Sequence, residues 1–167
     1  MKKIVIIGSG GAGKSTLARK LGNILNIEVI HLDRLFWKPN WEGVPKAEQQ
    51  KIQHKLVTRD TWIIDGNYGG TMDIRLRAAD TIIFLDMPRI LCMYRVVKRF
   101  VTYRNKVRPD MGEGCKERLS WEFLKWLWQY PKTKRPIILE KLKKLEKDKN
   151  ILILQSIKDV NAFLKSL

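Results

Sequence analysis

One short segment near the N-terminus has the residue types and spacing needed to hold a polyphosphate. The segment GSGGAGKS (8–15) matches the pattern G-x-x-x-x-G-K-[ST] and lies between an apolar run and a helical pattern. Glycines let backbone N–H groups converge on phosphate oxygens, and the positive end of the following helix adds attraction for anions. The pattern predicts an ATP-phosphate loop made of Gly8, Ser9, Gly10, Gly11, Ala12, Gly13, Lys14, Ser15 and Thr16.

Two residues of this loop and one carboxylate further along the chain have predicted chemical roles. We expect the Lys14 ammonium to reach the β- and γ-phosphates, and the Ser15 hydroxyl to ligate Mg²⁺. Asp65 directly follows three apolar residues, WII (62–64). A carboxylate at such a strand end is expected to hold Mg²⁺ or its waters. The alternative for Asp65 is a helix cap or a turn residue.

Asp33 is a candidate for contact with a second substrate. It closes the apolar segment IEVIHLD (27–33), where it could accept a proton from a substrate hydroxyl or hold the substrate itself. A structural turn is equally compatible with this position. We expect His31 to be a strand-end residue rather than a base, and Asp86, which precedes Pro88, to be a capping residue.

A long basic segment without any carboxylate is the second feature with chemical meaning. Between Met87 and Pro109 the basic residues are Arg89, Arg95, Lys98, Arg99, Arg104, Lys106 and Arg108. Nucleic acid, a membrane surface and nucleotide phosphates are all candidate anions for such a segment. Arg95 and Arg99 lie one helical turn apart, so both can face the same anion.

Composition narrows the class of protein. A chain of 167 residues with 44% hydrophobic and 30% charged residues fits one globular domain. The net charge is +16, with 20 basic and 9 acidic residues after Phe84 against 13 and 8 before it. Such an excess indicates anionic partners, but no helix-turn-helix, zinc-finger or RRM pattern accompanies it.

The cysteines and the apolar runs bear on location. Cys92 and Cys115 have neither disulfide-framework nor metal-site spacing. No segment approaches the ~20 apolar residues that a spanning helix needs, and the N-terminal apolar run is too short for a signal peptide. We therefore expect reduced thiols, a cytoplasmic location and no membrane partner.

The chemically interesting residues sit among alternating strands and helices. Apolar runs predict strands at 3–7, 27–33, 61–67, 80–88 and 150–156, and helical spacing predicts helices at 14–25, 46–59, 90–103, 115–130 and 133–147, with a short closing helix. Strands of this kind form a parallel sheet with helices on both faces. Ligands of such sheets bind at the carboxyl ends of the strands, which places Gly8, Asp33, Asp65 and Asp86 on one rim.

Several segments together resemble a known family. They are the phosphate loop, HLDRLFWKPNW (31–41), WIIDGNYGGTMDIRL (62–76), DTIIFLDMPR (80–89), RPDMGEGC (108–115) and FLKWLW (123–128). In combination they resemble the bacterial DNA topology modulation protein family, which is similar to adenylate kinases and other small P-loop kinases. The resemblance implies an α/β P-loop NTPase fold of the nucleoside-monophosphate-kinase type, with a five-stranded parallel sheet and a helical lid. It also implies one kinase-like domain over 1–167, with a substrate-binding segment at about 34–60 and the lid at about 100–135.

The resemblance also suggests roles for individual residues. Asp65 and Gly66 match the start of the adenylate kinase signature Asp-Gly-Phe-Pro-Arg, but Asn67 and Tyr68 replace Phe-Pro, and the next arginine is Arg75. This departure argues against adenylate kinase specificity. Arg95 and Arg99 resemble the Arg-x-x-x-Arg that leads into the lid and clamps ATP phosphates. The expected acceptor-binding residues are Asp33, Arg34, Trp37, Trp41, Gly66, Asn67, Tyr68, Arg75, Arg104 and Arg108, and the expected catalytic residues are Lys14, Asp33, Asp65, Arg95 and Arg99.

The leading functional hypothesis is an ATP- and Mg²⁺-dependent kinase for a small acceptor, with a nucleotide or nucleoside as the best candidate. The alternatives are an ATP-regulated nucleic-acid-binding protein that affects DNA topology and a polynucleotide 5′-kinase. The expected partners are ATP and the acceptor, with nucleic acid as a further candidate through the basic surface. We expect a monomer or a weak dimer.

Overall fold

The computed structural model describes residues 1–167 and contains seven strands. They are β1 (Lys3–Gly8), β2 (Val29–His31), β3 (Trp37–Lys38), β4 (Glu42–Gly43), β5 (Trp62–Asp65), β6 (Thr81–Leu85) and β7 (Asn150–Leu154). Five of them form one parallel sheet in the order β2-β5-β1-β6-β7, and β3 pairs with β4 in a small antiparallel hairpin. The predicted five-stranded parallel sheet is confirmed.

Eight α-helices connect and cover the strands. They are α1 (Lys14–Leu25), α2 (Leu32–Phe36), α3 (Lys46–Val57), α4 (Met72–Ala78), α5 (Arg89–Thr102), α6 (Trp121–Thr133), α7 (Arg135–Leu145) and α8 (Ile157–Lys165). No helix is both long enough and apolar enough to cross a membrane.

Alternate residues of the central strands pack into two separate hydrophobic cores. Val5 and Ile7 pack into a cluster of 16 buried residues, whereas Ile4 and Ile6 pack into a second cluster of 14. A strand that is apolar on both sides must be covered on both faces, and the two clusters show that it is. The sheet is therefore fixed from both sides, which gives its carboxyl edge a stable position.

Three local features differ from the sequence-based expectations. The second strand ends at His31, so Asp33 lies in the first turn of α2 and not at a strand end. The helix predicted from 115 begins only at Trp121, because the Ser120 side chain accepts a hydrogen bond from Phe123 N and caps the helix there. The hairpin β3–β4 and the helices α2 and α4 were not predicted.

Candidate active site

A cavity of about 780 Å³ lies at the carboxyl edge of the sheet. The parallel register brings the strand ends together, with His31 of β2 opposite Asp65 of β5 and Gly8 of β1 opposite Leu85 of β6. Most predicted site residues line this cavity: Gly10, Gly11, Ala12, Gly13, Lys14, Ser15, Thr16, Asp33, Trp37, Trp41, Asp65, Gly66, Asn67, Arg95, Arg99 and Arg108.

The phosphate loop forms the floor of the cavity at the start of α1. Gly11 and Gly13 have φ angles of 73° and 101°, and a Cβ at Gly11 would lie 2.4 Å from the carbonyl oxygen of Cys92. The chain can take this path only with glycine at these positions. Lys14 Nζ donates to the Ser9 carbonyl oxygen over 2.9 Å, which curls the lysine over its own loop. Burial lowers the Lys14 pKa, and the carboxylates of Asp33 and Asp65 oppose that shift.

Asp65 and His31 form a hydrogen-bonded pair on the cavity wall. The distance from His31 Nδ1 to Asp65 Oδ1 is 2.7 Å, and the Asp65 side chain is almost completely buried. Burial disfavours the protonated imidazole, but the hydrogen bond and charge of Asp65 outweigh it and raise the His31 pKa. His31 is a strand-end residue, as predicted, and it is also a member of the site, which the sequence interpretation missed.

Asp33 is oriented by a tyrosine from the segment after β5. The Tyr68 hydroxyl donates to Asp33 Oδ1 over 2.6 Å, and the Tyr68 ring packs edge-on against Phe36. Burial and the neighbouring Asp33 charge raise the Tyr68 pKa, so this hydroxyl stays a donor. Tyr68 was expected to touch the acceptor; it does not line the cavity itself, but it holds the Asp33 carboxylate, which does.

The basic segment contributes three arginines to the cavity, and two of them already have acidic partners. Arg95 Nη1 donates to the Ala12 carbonyl oxygen over 3.1 Å. Arg99 Nε lies 3.0 Å from Glu117 Oε1, and Arg108 Nε lies 2.6 Å from Glu117 Oε2. An acid just beyond the carboxylate-free segment therefore folds back onto it and offsets part of its charge.

Asp110 is a second acid that reaches the site from the same segment. Arg108 Nη1 donates to Asp110 Oδ2 over 3.0 Å, and Asp110 lines the cavity together with Ser15. Burial alone would favour the neutral acid, but Arg108 and Ser15 lower the Asp110 pKa. Sequence reasoning missed both Asp110 and Glu117, although they are among the first acids after the carboxylate-free segment.

Three arginines expected in the acceptor site lie off the cavity wall. Arg75 is completely buried; it donates to the Gly66 carbonyl oxygen over 2.9 Å and to Gln53 Oε1 over 3.1 Å. Burial lowers its pKa to about 10. The prediction for Arg75 is therefore corrected: it supports the turn at Gly66 from inside the protein. Arg34 and Arg104 are exposed and do not line the cavity.

The site offers the oxygen ligands that Mg²⁺ prefers. The Ser15 hydroxyl and the carboxylates of Asp33, Asp65 and Asp110 all belong to the cavity wall. No group of three or more His, Cys, Asp or Glu side chains is arranged to hold a metal ion. An Mg²⁺ ion that arrives with a nucleotide takes one or two protein ligands, and phosphates and water complete its shell.

Known proteins with this architecture include shikimate kinases. The chain superposes on the shikimate kinase from Acinetobacter baumannii in complex with shikimate with a TM-score of 0.64 and 18% identity, over 99% of this chain and 90% of that one. The shikimate kinase from Bacteroides thetaiotaomicron gives a TM-score of 0.60 and 15% identity, over 98% and 94% of the two chains. The fold is thus the P-loop NTPase fold of the shikimate kinases, similar to that of nucleoside monophosphate kinases.

Sequence similarity leads to the same group. The chain is 26% identical over 136 residues to the bifunctional shikimate kinase/3-dehydroquinate synthase of Thermotoga maritima. This match spans 72% of the chain but only 26% of the length of that protein. No protein-family model matches the chain. These comparisons support a relation to P-loop small-molecule kinases in general, while the resemblance to the topology modulation family stays a prediction.

Proposed function

We propose that this protein is an ATP- and Mg²⁺-dependent kinase that transfers the γ-phosphoryl group to a hydroxyl group of a small acceptor. The observation that carries the proposal is the convergence of three parts on one cavity: the phosphate loop, the Asp33 region and the arginines of the basic segment. A kinase needs both substrates in line within one water-excluding site. The fold shared with shikimate kinases over nearly the whole chain supports this proposal.

Most of the chemistry assigned to the chain is positioning and charge stabilisation. ATP supplies the phosphoryl group, and its Mg²⁺ screens the phosphate charges. Lys14 leaves the Ser9 carbonyl and binds the phosphates, and Arg95 and Arg99 approach them from α5. Asp33, held by Tyr68, accepts the hydrogen bond of the acceptor hydroxyl and takes its proton during transfer. The Asp65 carboxylate, which accepts a hydrogen bond from His31, would help to hold the Mg²⁺ that ATP brings.

The acceptor we propose is a nucleoside or nucleotide. Trp37 and Trp41 both line the cavity, with ring centroids 5.6 Å apart, and the Arg118 guanidinium lies 4.6 Å from the centroid of Trp41. Aromatic rings of this kind bind flat heterocycles by stacking. The buried Oδ1 of Asn67 has no hydrogen-bond partner, and Asn67 lines the cavity, so a ligand donor would satisfy it. Shikimate, which the Acinetobacter kinase binds, is the second candidate acceptor.

A panel of acceptors tests this proposal. Purified protein is incubated with ATP and Mg²⁺ plus a nucleoside, a nucleoside monophosphate, shikimate or a simple polyol, and ADP formation is measured. We expect ADP only when one class of acceptor is present, with the phosphorylated product identified by mass spectrometry. Equal ADP formation with and without every acceptor would instead define an ATPase and contradict the kinase proposal.

A nucleic-acid function has one observation in its favour. The net charge is +16, and exposed basic residues such as Lys98, Arg104 and Lys106 surround the cavity arginines. Charge of this density binds DNA without sequence preference and with strong salt dependence. Nucleic acid that stimulates ATP turnover and itself gains a 5′-phosphate would favour a polynucleotide kinase, whereas stimulation without phosphorylation would favour ATP-regulated DNA binding.

A further inference from the structure

A second cavity, of about 390 Å³, lies beside the active-site cavity at the carboxyl edge of the sheet. The two cavities have Leu85 and Met87 in common as part of their walls. Ser9, whose carbonyl oxygen holds Lys14, also lines the second cavity. Its volume lies within the range of about 300–1,000 Å³ that is typical of small-molecule sites. None of the chemistry assigned above to ATP or to the acceptor uses this space.

One buried polar group of the second cavity has no partner in the protein. Tyr130 lines the cavity and is only 4% exposed, and its hydroxyl has no hydrogen-bond partner. Burial raises the Tyr130 pKa, so this hydroxyl stays protonated and can donate a hydrogen bond. A buried hydroxyl without a partner destabilises the fold, and buried polar groups of this kind are normally satisfied. A ligand with an acceptor oxygen would satisfy it.

The charges around the second cavity favour an anion. Asp86 is the one carboxylate on its wall, and it is already neutralised, because Arg135 donates to both of its oxygens over 2.8 to 3.0 Å. Gln155 Nε2 donates to the same carboxylate over 3.1 Å. Arg89 has no acidic partner; its guanidinium lies 4.0 Å from the ring centroid of Trp128. The wall of the cavity therefore keeps one positive charge without a counter-charge.

The first turn of α5 adds further donors at the same place. The helix begins at Arg89, directly after Pro88, and both residues line the cavity. No side chain caps this end of the helix, and its first turn contains no acidic residue. The first N–H groups of a helix have no acceptor within the helix, and the helix dipole attracts anions to them. The helix end, Arg89 and Tyr130 therefore all present donors to the second cavity.

We propose that the second cavity binds a small organic anion, whose carboxylate or phosphate group is held by Arg89, the first turn of α5 and the Tyr130 hydroxyl. The apolar part of the ligand would contact the apolar residues of the wall, which are Leu85, Met87, Pro88 and Pro131. The ion pair of Arg135 with Asp86 closes the remaining side and stays intact. This inference does not depend on the proposed kinase activity, because it uses no residue of the acceptor site.

Calorimetry with benzoate and phenyl phosphate tests the site, because these two probes carry a carboxylate and a phosphate on the same apolar ring. Benzamide, which has the same ring without the charge, is the control ligand. The full-length protein is titrated in saturating MgADP, which occupies the phosphate loop and removes it as a competing site for anions. We expect both anions to bind at least about tenfold more tightly than benzamide, because Arg89 and the helix end favour a negative charge.

Two substitutions assign the binding to the proposed groups. Arg89→Ala should weaken the binding of both anions at least about tenfold, because it removes the unpaired charge. Tyr130→Phe keeps the ring and should weaken binding about tenfold, yet it should not lower the thermal stability, since the hydroxyl has no partner in the free protein. Arg77→Ala is the matched control, because Arg77 is exposed on α4 and lines neither cavity. Thermal unfolding verifies that every variant is folded.

Amide chemical shifts locate the bound anion. In the presence of MgADP, benzoate should shift the backbone amide signals of Met87, Arg89 and Gln155 more than those of Lys14 and Ser15. Shifts confined to Lys14 and Ser15 would assign the anion to the phosphate loop and overturn the proposal. Benzamide that binds as tightly as benzoate, absence of binding by both anions, or full binding by both Arg89→Ala and Tyr130→Phe would also overturn it.

Discussion

The phosphate loop and the segment after α5 both face the same cavity, but different forces hold them in place. The loop owes its shape to backbone geometry: glycines at positive φ, close approach to the backbone of Cys92, and a rigid strand before it. The segment 103–120 is tied to α5 by the ion pair of Arg99 with Glu117, and ion pairs of Arg108 with Glu117 and Asp110 lie within it. Hydrogen bonds from Trp41 and Cys115 attach it to the β3–β4 region. The first region is held by its backbone, whereas the second is held partly by charged contacts that a ligand can replace.

This difference gives the two regions different tasks. The glycines fix the path of the loop, so its backbone N–H groups form a preformed site for phosphate oxygens. An arginine paired with a carboxylate can release it and bind a phosphate oxygen at similar geometry. The pKa of Arg99 is lowered by burial and by the neighbouring Arg108, which means that its charged form gains from any added anion. We therefore propose that the segment 103–120 is a lid that closes on ATP.

The largest expected effect comes from a change in the phosphate loop. Lys14→Ala should abolish ATP-dependent turnover and weaken ATP binding, because no other side chain supplies a charge within the loop. The fold should persist, since the lysine contacts only the Ser9 carbonyl oxygen. Calorimetry and a turnover assay measure both effects, and Lys51→Ala on the exposed face of α3 serves as the control. Unchanged ATP affinity with full turnover would contradict the loop assignment.

The second prediction removes the acid that holds the lid. Glu117→Ala leaves the buried Arg108 and the half-buried Arg99 without their shared partner. Breaking a buried ion pair in this way costs about 3 kcal/mol or more of folding stability. Glu113→Ala, which removes an exposed acid of the same segment, should cost almost nothing. Urea unfolding measures both variants.

The same variant can also show whether phosphate replaces the acid. MgATP should stabilise Glu117→Ala more than it stabilises the unsubstituted protein, because the phosphates neutralise Arg99 and Arg108. An equal increase in both proteins would show that these arginines do not contact the nucleotide.

The third prediction concerns Asp65 at the end of β5. Asp65→Asn should lower turnover on the order of 100-fold, while ATP affinity changes much less, because its charge acts mainly on the transition state. Single-turnover kinetics with ATP binding measured in parallel separate the two effects. Asp73→Asn is the control, because the Asp73 side chain is exposed on α4. Equal turnover in the Asp65 variant would mean that this residue only orients His31.

The fourth prediction distinguishes the lid from a DNA-binding surface. Arg99→Ala should lower turnover at least about tenfold, equivalent to roughly 1.4 kcal/mol of transition-state stabilisation. If the basic segment faces nucleic acid instead, the same substitution would leave turnover unchanged and reduce the salt slope of DNA binding by about one. Lys98→Ala, on the exposed side of the same helix, reports on DNA binding without touching the cavity.

Features that depend on local sequence could be predicted, whereas features that depend on the tertiary fold could not. The loop, the five strands and α1 could be predicted because local apolar runs and glycine spacing determine them. The convergence of Ser15 and Asp110 on one cavity could not, because 95 positions separate the two residues and only the tertiary fold brings them to the same wall. Arg75 was misassigned for a related reason: a charged residue in a motif suggests a ligand contact, yet the fold uses it to hold the Gly66 carbonyl oxygen.

Local backbone conformation explains another omission. The stretch between α2 and α3 contains Asn40 and Trp41 at positive φ, 62° and 64°, where non-glycine residues are uncommon. No sequence pattern predicts such a turn. It nonetheless places Trp41 against the lid, where its indole nitrogen donates to the Lys116 carbonyl oxygen over 2.9 Å.

The smallest expected effect is the pH dependence contributed by His31. Its pKa in the folded protein is raised by Asp65, so the pair stabilises the fold fully below the unfolded pKa of about 6.5 and loses this contribution as pH rises through the higher folded pKa. The free energy of unfolding of the unsubstituted protein should fall between these two pKa values, and this fall should be smaller in His31→Gln. His54→Gln is the natural control, since His54 is the one other histidine and is exposed on α3. Urea unfolding at a series of pH values measures the slope, and proton NMR of the two imidazoles measures their titration directly. A His31 signal that titrates no higher than that of His54 would contradict the assignment, and Asp65 would then be free to act at the metal position alone.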